Sequence, residues 1–247
     1  MVLSIEHRNY ASGLWFAPKH SSGGVDVELP AAVIFDMDGV LADTEPLHGK
    51  CFVRAFAGFG IETTPEEYRQ AVTIGGSTVR DYFLSLGGDP SDWDRVKGIK
   101  DAFMEEAVEH GEALMPGVVP LLDLLRSAGI PVGLATSARR RSLDIIIDRL
   151  GLRPYFDVTV TKDEAQAEKP DPEIYLTAAQ RLGVDPAGCV AIEDSPRGVL
   201  AAVRAGMKCV AVPTRSTADG DFSAATLVVR SLEEVDLDTL RRITPRT

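Results

Sequence analysis

Cysteine is scarce in this 247-residue chain: Cys51, Cys189 and Cys209 are the only three. None is spaced as a zinc site or a CxxC redox pair. Cys189 and Cys209 lie in apolar runs and read as small buried hydrophobes. That usage suits a reducing compartment, and a cytoplasmic location is expected. Apolar runs of membrane-spanning length are missing as well. The opening residues, MVLSIEHRNYASGLWFAPKHSSGG, lack the long apolar stretch of a signal peptide. Positive charge is also short, with 26 Lys and Arg against 37 Asp and Glu and a net charge of −11. Such a chain is repelled by nucleic acid and by anionic membranes, so neither is an expected partner. A small anionic substrate stays open, provided one site supplies a metal or a local positive charge.

What is present is a regular alternation. Short apolar runs that read as buried parallel strands end in polar clusters: Ala31–Asp36, Pro131–Thr136, Phe156–Val160, Cys189–Glu193 and Lys208–Val212, with a weaker one at Leu227–Val229. Between them lie amphipathic segments, Val118–Ala128, Arg139–Leu150, Pro172–Leu182 and Pro196–Ala205, each followed by Gly, the expected helix stop. This pattern predicts an α/β fold, a Rossmann-like parallel sheet with helices on both faces. From about Leu47 to Met115 the alternation breaks. Four helical patterns, His48–Phe59, Thr64–Thr73, Val79–Leu86 and Trp93–Glu109, follow one another without a strand. They predict an all-helical cap over 46–115, inserted into a core of 30–45 and 116–247, with hinges near Asp43–Pro46 and Met115–Gly117. Residues 1–29 read as a flexible N-terminal extension, and Leu232–Arg242 as a terminal helix.

Ligands of open parallel sheets bind at the carboxyl ends of the strands. The first strand ends in Asp36-Met37-Asp38-Gly39, the second in Thr136-Ser137 and the fourth in Glu193-Asp194-Ser195, with Glu168-Lys169-Pro170 ahead of a helix. Asp36 and Asp38 are two apart, on one side of an extended chain. Carboxylates that converge repel one another. A hard cation such as Mg2+, which takes oxygen ligands and keeps positions for water and phosphate, makes the cluster favourable. Lys169 adds a point charge and Thr136 a hydroxyl for a phosphate dianion. One carboxylate can then attack phosphorus while a second moves protons.

These residues resemble the four motifs of the haloacid dehalogenase superfamily, in the right order, over roughly Ala31 to Thr214: the strand plus DMDGV, Thr136, Lys169, and Glu193-Asp194. The resemblance implies Asp36 as nucleophile and metal ligand, and Asp38 as general acid/base with its backbone carbonyl on the metal. It implies Thr136 as phosphate-binding hydroxyl, with Ser137 beside it, and Lys169 as the cation that steadies nucleophile and phosphate. It makes Asp194 a Mg2+ ligand and Glu193 a second ligand or an outer partner. The stretch GVLADTEPLH is similar to the β-phosphoglucomutase-like branch, which includes sugar-phosphate phosphatases. That likeness implies proton assistance from His48 and substrate contact by the loop Gly75-Gly76-Ser77-Thr78. The alternative reading of that loop is a plain helix start. Arg139-Arg140-Arg141 reads as a solvated helix face from which one arginine reaches an anionic substrate.

A phosphatase acting on a small phosphorylated metabolite, with Mg2+ as cofactor, is the expectation, and a phosphomutase of β-phosphoglucomutase type the alternative. In that mutase the cap loop ends in an arginine that grips a distal phosphate. Here the position reads Thr78, and Arg80 is out of register. A non-catalytic phosphate-binding module has no need of Asp36 and Asp38, and carbon-centred dehalogenation no need of Asp38 and Asp194. A monomer is expected, with a dimer as the alternative.

Overall fold

The fully apolar run Ala32–Phe35 forms the first strand, β1, and every one of its side chains is buried. The structure, a computed structural model, describes residues 29–108 and 114–244. The extension expected over residues 1–29 therefore lies, but for Leu29, outside the described residues. After β1 come α1 (Glu45–Ala57), α2 (Pro65–Tyr68), a π-helical turn (Arg69–Ile74), α3 (Val79–Ser85) and α4 (Trp93–Val108). The alternating part follows: α5 (Val118–Ser127), β2 (Val132–Thr136), α6 (Arg140–Arg149), β3 (Val158–Thr161), α7 (Glu173–Leu182) and β4 (Cys189–Glu193). It ends with α8 (Pro196–Arg204), β5 (Lys208–Ala211), β6 (Leu227–Val228) and α9 (Leu237–Ile243). The glycines after α5, α6, α7 and α8 all take positive φ, as their stop role requires. The third strand starts two residues later than the apolar run suggests, because Arg153–Tyr155 closes a 3-10 turn first.

The sheet has six strands in the order β3-β2-β1-β4-β5-β6, and every pair is parallel. The chain moves outward from β1 through β2 to β3, then returns to the other side of β1 with β4. The carboxyl end of β1 is thus the switch point where such sheets bind ligands. Side chains alternate between the faces. Val33, Phe35, Leu134, Ile192 and Val210 join the large-residue core under α5, α6 and α9. Ala32, Ile34, Ala135, Cys189, Ala191, Cys209 and Ala211, most of them small, let α7 and α8 approach the opposite face.

The helical insert has a core of its own. Phe52, Phe56, Tyr68, Val72, Tyr82, Phe83 and Val96 are buried together. Phe52 stacks on Tyr68 at 5.6 Å, and Phe56 meets Phe83 at 5.2 Å. A capping box starts α2: the Thr64 N–H donates to Glu67 Oε2 at 2.8 Å, and Thr64 Oγ1 accepts from the Glu67 N–H at 3.2 Å. The expected single helix over Thr64–Thr73 instead changes to π geometry after Tyr68. The chain enters and leaves the insert side by side. Ala42 pairs antiparallel with Leu114, and the Met115 N–H donates to Leu41 O at 3.0 Å.

The insert is strapped to the sheet unit at two edges. Arg69 donates to Ser216 O at 3.2 Å and reaches Asp219 at 3.4 Å. Asp101 and Glu105 of α4 hold Arg139 and Arg141, the latter pair at 3.2 Å. Arg140 is engaged with Glu164 and with Thr159 Oγ1. The basic run is therefore committed to ion pairs, and none of its members lines the cavity described below. Among the described residues no helix is long and apolar enough to cross a membrane.

Candidate active site

Strand register assembles the site. Phe35 is level with Leu134 on β2 and with Ile192 on β4. One step on, Asp36 lies between Ala135 and Glu193, and its N–H donates to Ile192 O at 2.9 Å. Asp36 and Glu193 continue the alternating set that faces α7 and α8. Lys169, on the loop before α7, comes up from that same side. Its Nζ donates to Asp36 Oδ1 at 2.6 Å, to Glu193 Oε1 at 2.7 Å and to Ala135 O at 3.0 Å. The Tyr175 hydroxyl donates to the same Glu193 oxygen at 2.6 Å. The other Glu193 oxygen accepts from the Asp194 N–H at 3.2 Å. All of these side chains are buried: Asp36 is 6% exposed, Lys169 8%, Glu193 1% and Asp194 4%.

Close approach of backbone to acid explains two glycines. A Cβ on Gly39, whose φ is +75°, would meet Asp194 Oδ2 at 2.3 Å. A Cβ on Gly198, in the first turn of α8, would meet the Glu193 carboxylate at 2.0 Å. Both acids are thus seated against main chain that only glycine leaves bare.

The electrostatics describe a site short of positive charge. Burial pushes the Asp36 carboxyl well above its ordinary range. Lys169 opposes that shift, and Glu193 and Asp38 reinforce it. Burial would lower Lys169, yet Asp36 and Glu193 raise it above its ordinary value. A carboxyl and an ammonium that both cling to their protons mark an excess of negative charge. Oxygens of Asp36, Glu193 and Asp194 lie within 4.8 Å of one another. Hard oxygen donors at that spacing, with one lysine among them, fit a divalent cation.

Asp38 faces the other way. Its carboxylate accepts from the Thr44 hydroxyl and lies 3.4 Å from His48 Nε2 on α1. Burial would raise it, but attraction from His48, with the Thr44 hydroxyl and Lys100, holds it at about 2. The cavity between these groups has a volume of about 210 Å³. Asp36, Asp38, His48, Ser137, Lys169 and Asp194 line it, together with Glu168, Ser195 and Arg197 of the sheet unit. Besides His48 on α1, the insert contributes Tyr68, Val72 and Thr73.

A model of the family described as haloacid dehalogenase-like hydrolase matches residues 33–212. The chain is a haloacid dehalogenase-like hydrolase. It is 36% identical over 204 residues to Protein CbbY of Rhodobacter capsulatus, covering 78% of this chain and 90% of that one. It is 36% identical over 217 residues to a phosphorylated carbohydrates phosphatase of Thermotoga maritima, covering 86% and 99%. Its fold superposes on a variant of CbbY from Rhodobacter sphaeroides, solved with xylulose-1,5-bisphosphate, with a TM-score of 0.74 and 30% identity over 86% of this chain and 99% of that one.

In this hydrolase the four motif segments do meet. Asp36, Lys169, Glu193 and Asp194 form one buried cluster, with Asp38 and His48 across the cavity. Thr136 is fully buried at the end of β2, and its hydroxyl oxygen accepts from the Ala138 N–H at 3.0 Å, while Ser137 is exposed to the cavity. The insert loop behaves differently. Gly75, Ser77 and Thr78 are exposed and do not line the cavity. Thr78 accepts from the Asp81 N–H at 3.0 Å and caps α3, the plain helix-start alternative. The π turn is the physical reason. It widens the helix after Tyr68, so that Val72 and Thr73 meet the cavity one turn earlier in the chain. Tyr175, Arg197 and Gly198 escape a reading of the sequence. Tyr175 sits in the apolar pattern of α7, and Arg197 and Gly198 read as an ordinary first helical turn.

Proposed function

We propose that this hydrolase is a Mg2+-dependent phosphatase of small phosphorylated sugars or polyols, working through an aspartyl phosphate on Asp36. The observation that carries the reading is the Lys169 ammonium held between Asp36 and Glu193 at the switch point of the sheet. Residues 46–115 act as a cap over a core of 30–45 and 116–247. Every group named below comes from one chain, so a monomer suffices.

Asp36 attacks phosphorus through a carboxylate oxygen, and the bond from phosphorus to the ester oxygen breaks. Asp38, ionised at rest, receives a proton through His48 beside it and supplies it to the departing alkoxide; the proton it later takes from water returns by the same route. Asp38, ionised again, then takes a proton from water, whose oxygen attacks phosphorus and releases Asp36 and inorganic phosphate. Lys169 offsets charge on Asp36 and on the phosphoryl oxygens. Thr136 and Ser137 direct hydroxyl and backbone donors towards them. Asp36, Asp194 and the Asp38 carbonyl would hold Mg2+, with Glu193 behind them as the acid that orients Lys169 and Tyr175. The ion supplies Lewis-acid polarisation of the phosphoryl group.

The hydrolytic reading gains support from the insert wall, where Tyr68, Val72 and Thr73, the lining residues beyond His48, offer no cation to a second phosphate. The carbohydrate class gains support from the relative described as a phosphorylated carbohydrates phosphatase. The test is inorganic phosphate release from a panel of sugar, polyol and nucleotide monophosphates with Mg2+. Release from sugar or polyol phosphates is the expected result. Interconversion of glucose 1- and 6-phosphates without release would overturn the reading in favour of a mutase.

A further inference from the structure

Lysine carries four rotatable bonds, so the position of its ammonium depends on what holds its backbone. The segment that bears Lys169 lies between β3 and α7, outside the sheet. Two acceptors in it are gripped from α8. Arg197 donates to Lys169 O from Nε at 3.1 Å and from Nη2 at 2.5 Å. Arg204 donates from Nη1 to the next carbonyl, Pro170 O, at 3.0 Å. The two arginines are seven residues apart, two turns of one helix, and therefore share a face. On the opposite side the Glu173 carboxylate accepts the N–H groups of Gln166 and Ala167 at 2.7 and 2.8 Å. The loop is thus clamped by cations at its carbonyls and by an anion at its amides.

The helix that carries the arginines also seats the acids. Ser195 caps α8, Gly198 backs the Glu193 carboxylate, and Asp194 precedes the cap. One rigid element therefore sets the position of Asp194, of Glu193 and of the Lys169 backbone together. The remaining freedom of the lysine lies in its side chain, and that is taken up by Asp36, Glu193 and Ala135 O.

We propose that Arg197, seconded by Arg204, is a positioning residue for Lys169: its guanidinium fixes the lysine carbonyl so that the ammonium arrives between Asp36 and Glu193. The proposal rests on the phosphatase reading for its kinetic consequence only. Arg197 also lines the cavity, and in this account it acts through Lys169, with no contact to substrate required.

The test uses the full chain loaded with Mg2+ and two measurements. The first is acetylation of individual lysines by a water-soluble reagent, followed by peptide mass spectrometry, with the exposed Lys50 as internal reference. In the unsubstituted protein Lys169 is expected to react at least about tenfold more slowly than Lys50, because it reacts only when the cluster opens locally. Arg197→Ala is expected to erase most of that protection, and Arg197→Lys, which keeps one donor and the charge, to restore it in part. The second is steady-state turnover. Misplacement of a catalytic group by about 1 Å costs on the order of 100-fold, so Arg197→Ala is expected to lower kcat by roughly 30-fold with KM within about threefold. Arg197→Lys should recover much of the loss, and Arg204→Ala should show a smaller drop of the same kind. If Arg197→Ala does not fold, the Lys and Arg204 variants carry the same comparison.

Full protection of Lys169 in the arginine variants, or a loss confined to KM and melting temperature, would overturn the proposal. Protection that follows Arg197 in a protein that releases no phosphate from any ester would instead overturn the phosphatase reading and leave the clamp standing.

Discussion

The two walls of the cavity are built on different principles. The sheet wall is made of strand ends drawn from distant parts of the chain. Lys169 and Glu193 in it are each held by several bonds at 2.6–3.2 Å, in near-total burial. The insert wall is His48 on α1, Tyr68 at the end of α2, and Val72 and Thr73 on the π turn, carried by a separate aromatic core and joined to the sheet unit by surface straps. A wall of the first kind suits chemistry that must not move, and one of the second kind suits selection and closure. Asp36 and Asp38, two residues apart, fall on opposite sides of this divide. Asp36 sits among Lys169 and the buried acids; burial and those acids drive its carboxyl up against the pull of Lys169. Asp38 answers to Thr44 and His48 at the base of the insert, which hold its carboxyl low.

That contrast can be tested from its strongest point to its weakest. Chelation of the metal by EDTA is expected to abolish phosphate release, and excess Mg2+ to restore it, because the buried acids then lack their counter-charge. Asp36→Asn is expected to lower kcat by about 10⁴-fold or more with an unchanged circular dichroism spectrum, since the substitution is isosteric and removes the attacking oxygen. Lys169→Met should destabilise the fold by about 3 kcal/mol in urea titration, because Asp36 and Glu193 lose their buried partner. The Asp38 side responds to acid instead. Its carboxyl is held at about 2, below the ordinary 3.8, so its ionised form stabilises the fold fully above the ordinary value and loses that contribution as pH falls through about 2. His48→Ala should flatten this acid limb, read as stability against pH in urea titration. Thr78→Ala should cost about 1 kcal/mol through the lost cap of α3 while changing kcat/KM less than Thr73→Ala does. The reverse order for those two would return the substrate contact to the Gly75–Thr78 loop.

The sheet side was the legible side. Apolar runs that stop at Asp36, Thr136 and Glu193 announce strand ends, and a parallel sheet gathers such ends on one edge. The four glycine stops located the helices for the same local reason. The insert side was less legible because its geometry depends on a register change. Nothing in Arg69–Ile74 distinguishes a π turn from an α turn, yet it is on this turn that Val72 and Thr73 meet the cavity. The arginines of 139–141 looked available for substrate, and only their distance to Asp101, Glu105 and Glu164 in the fold shows them committed. Arg197 was invisible for the opposite reason. Its partner is a backbone carbonyl, which leaves no trace in side-chain spacing. The order of strands was equally hidden, because alternation predicts a parallel sheet without saying on which side of β1 the fourth strand lands.

That strand order has a temporal side. Asp36 leaves the ribosome well before β4, its neighbour in the sheet, which is made about 150 residues later, and pairing across such separations is slow and late in folding. Until Asp194 arrives, the nascent chain holds Asp36 and Asp38 without the acid that would complete the proposed ion site, so on this reading competence comes only when the last large crossover has closed. A chain cut short of Cys189 would retain the DMDGV segment and remain chemically silent.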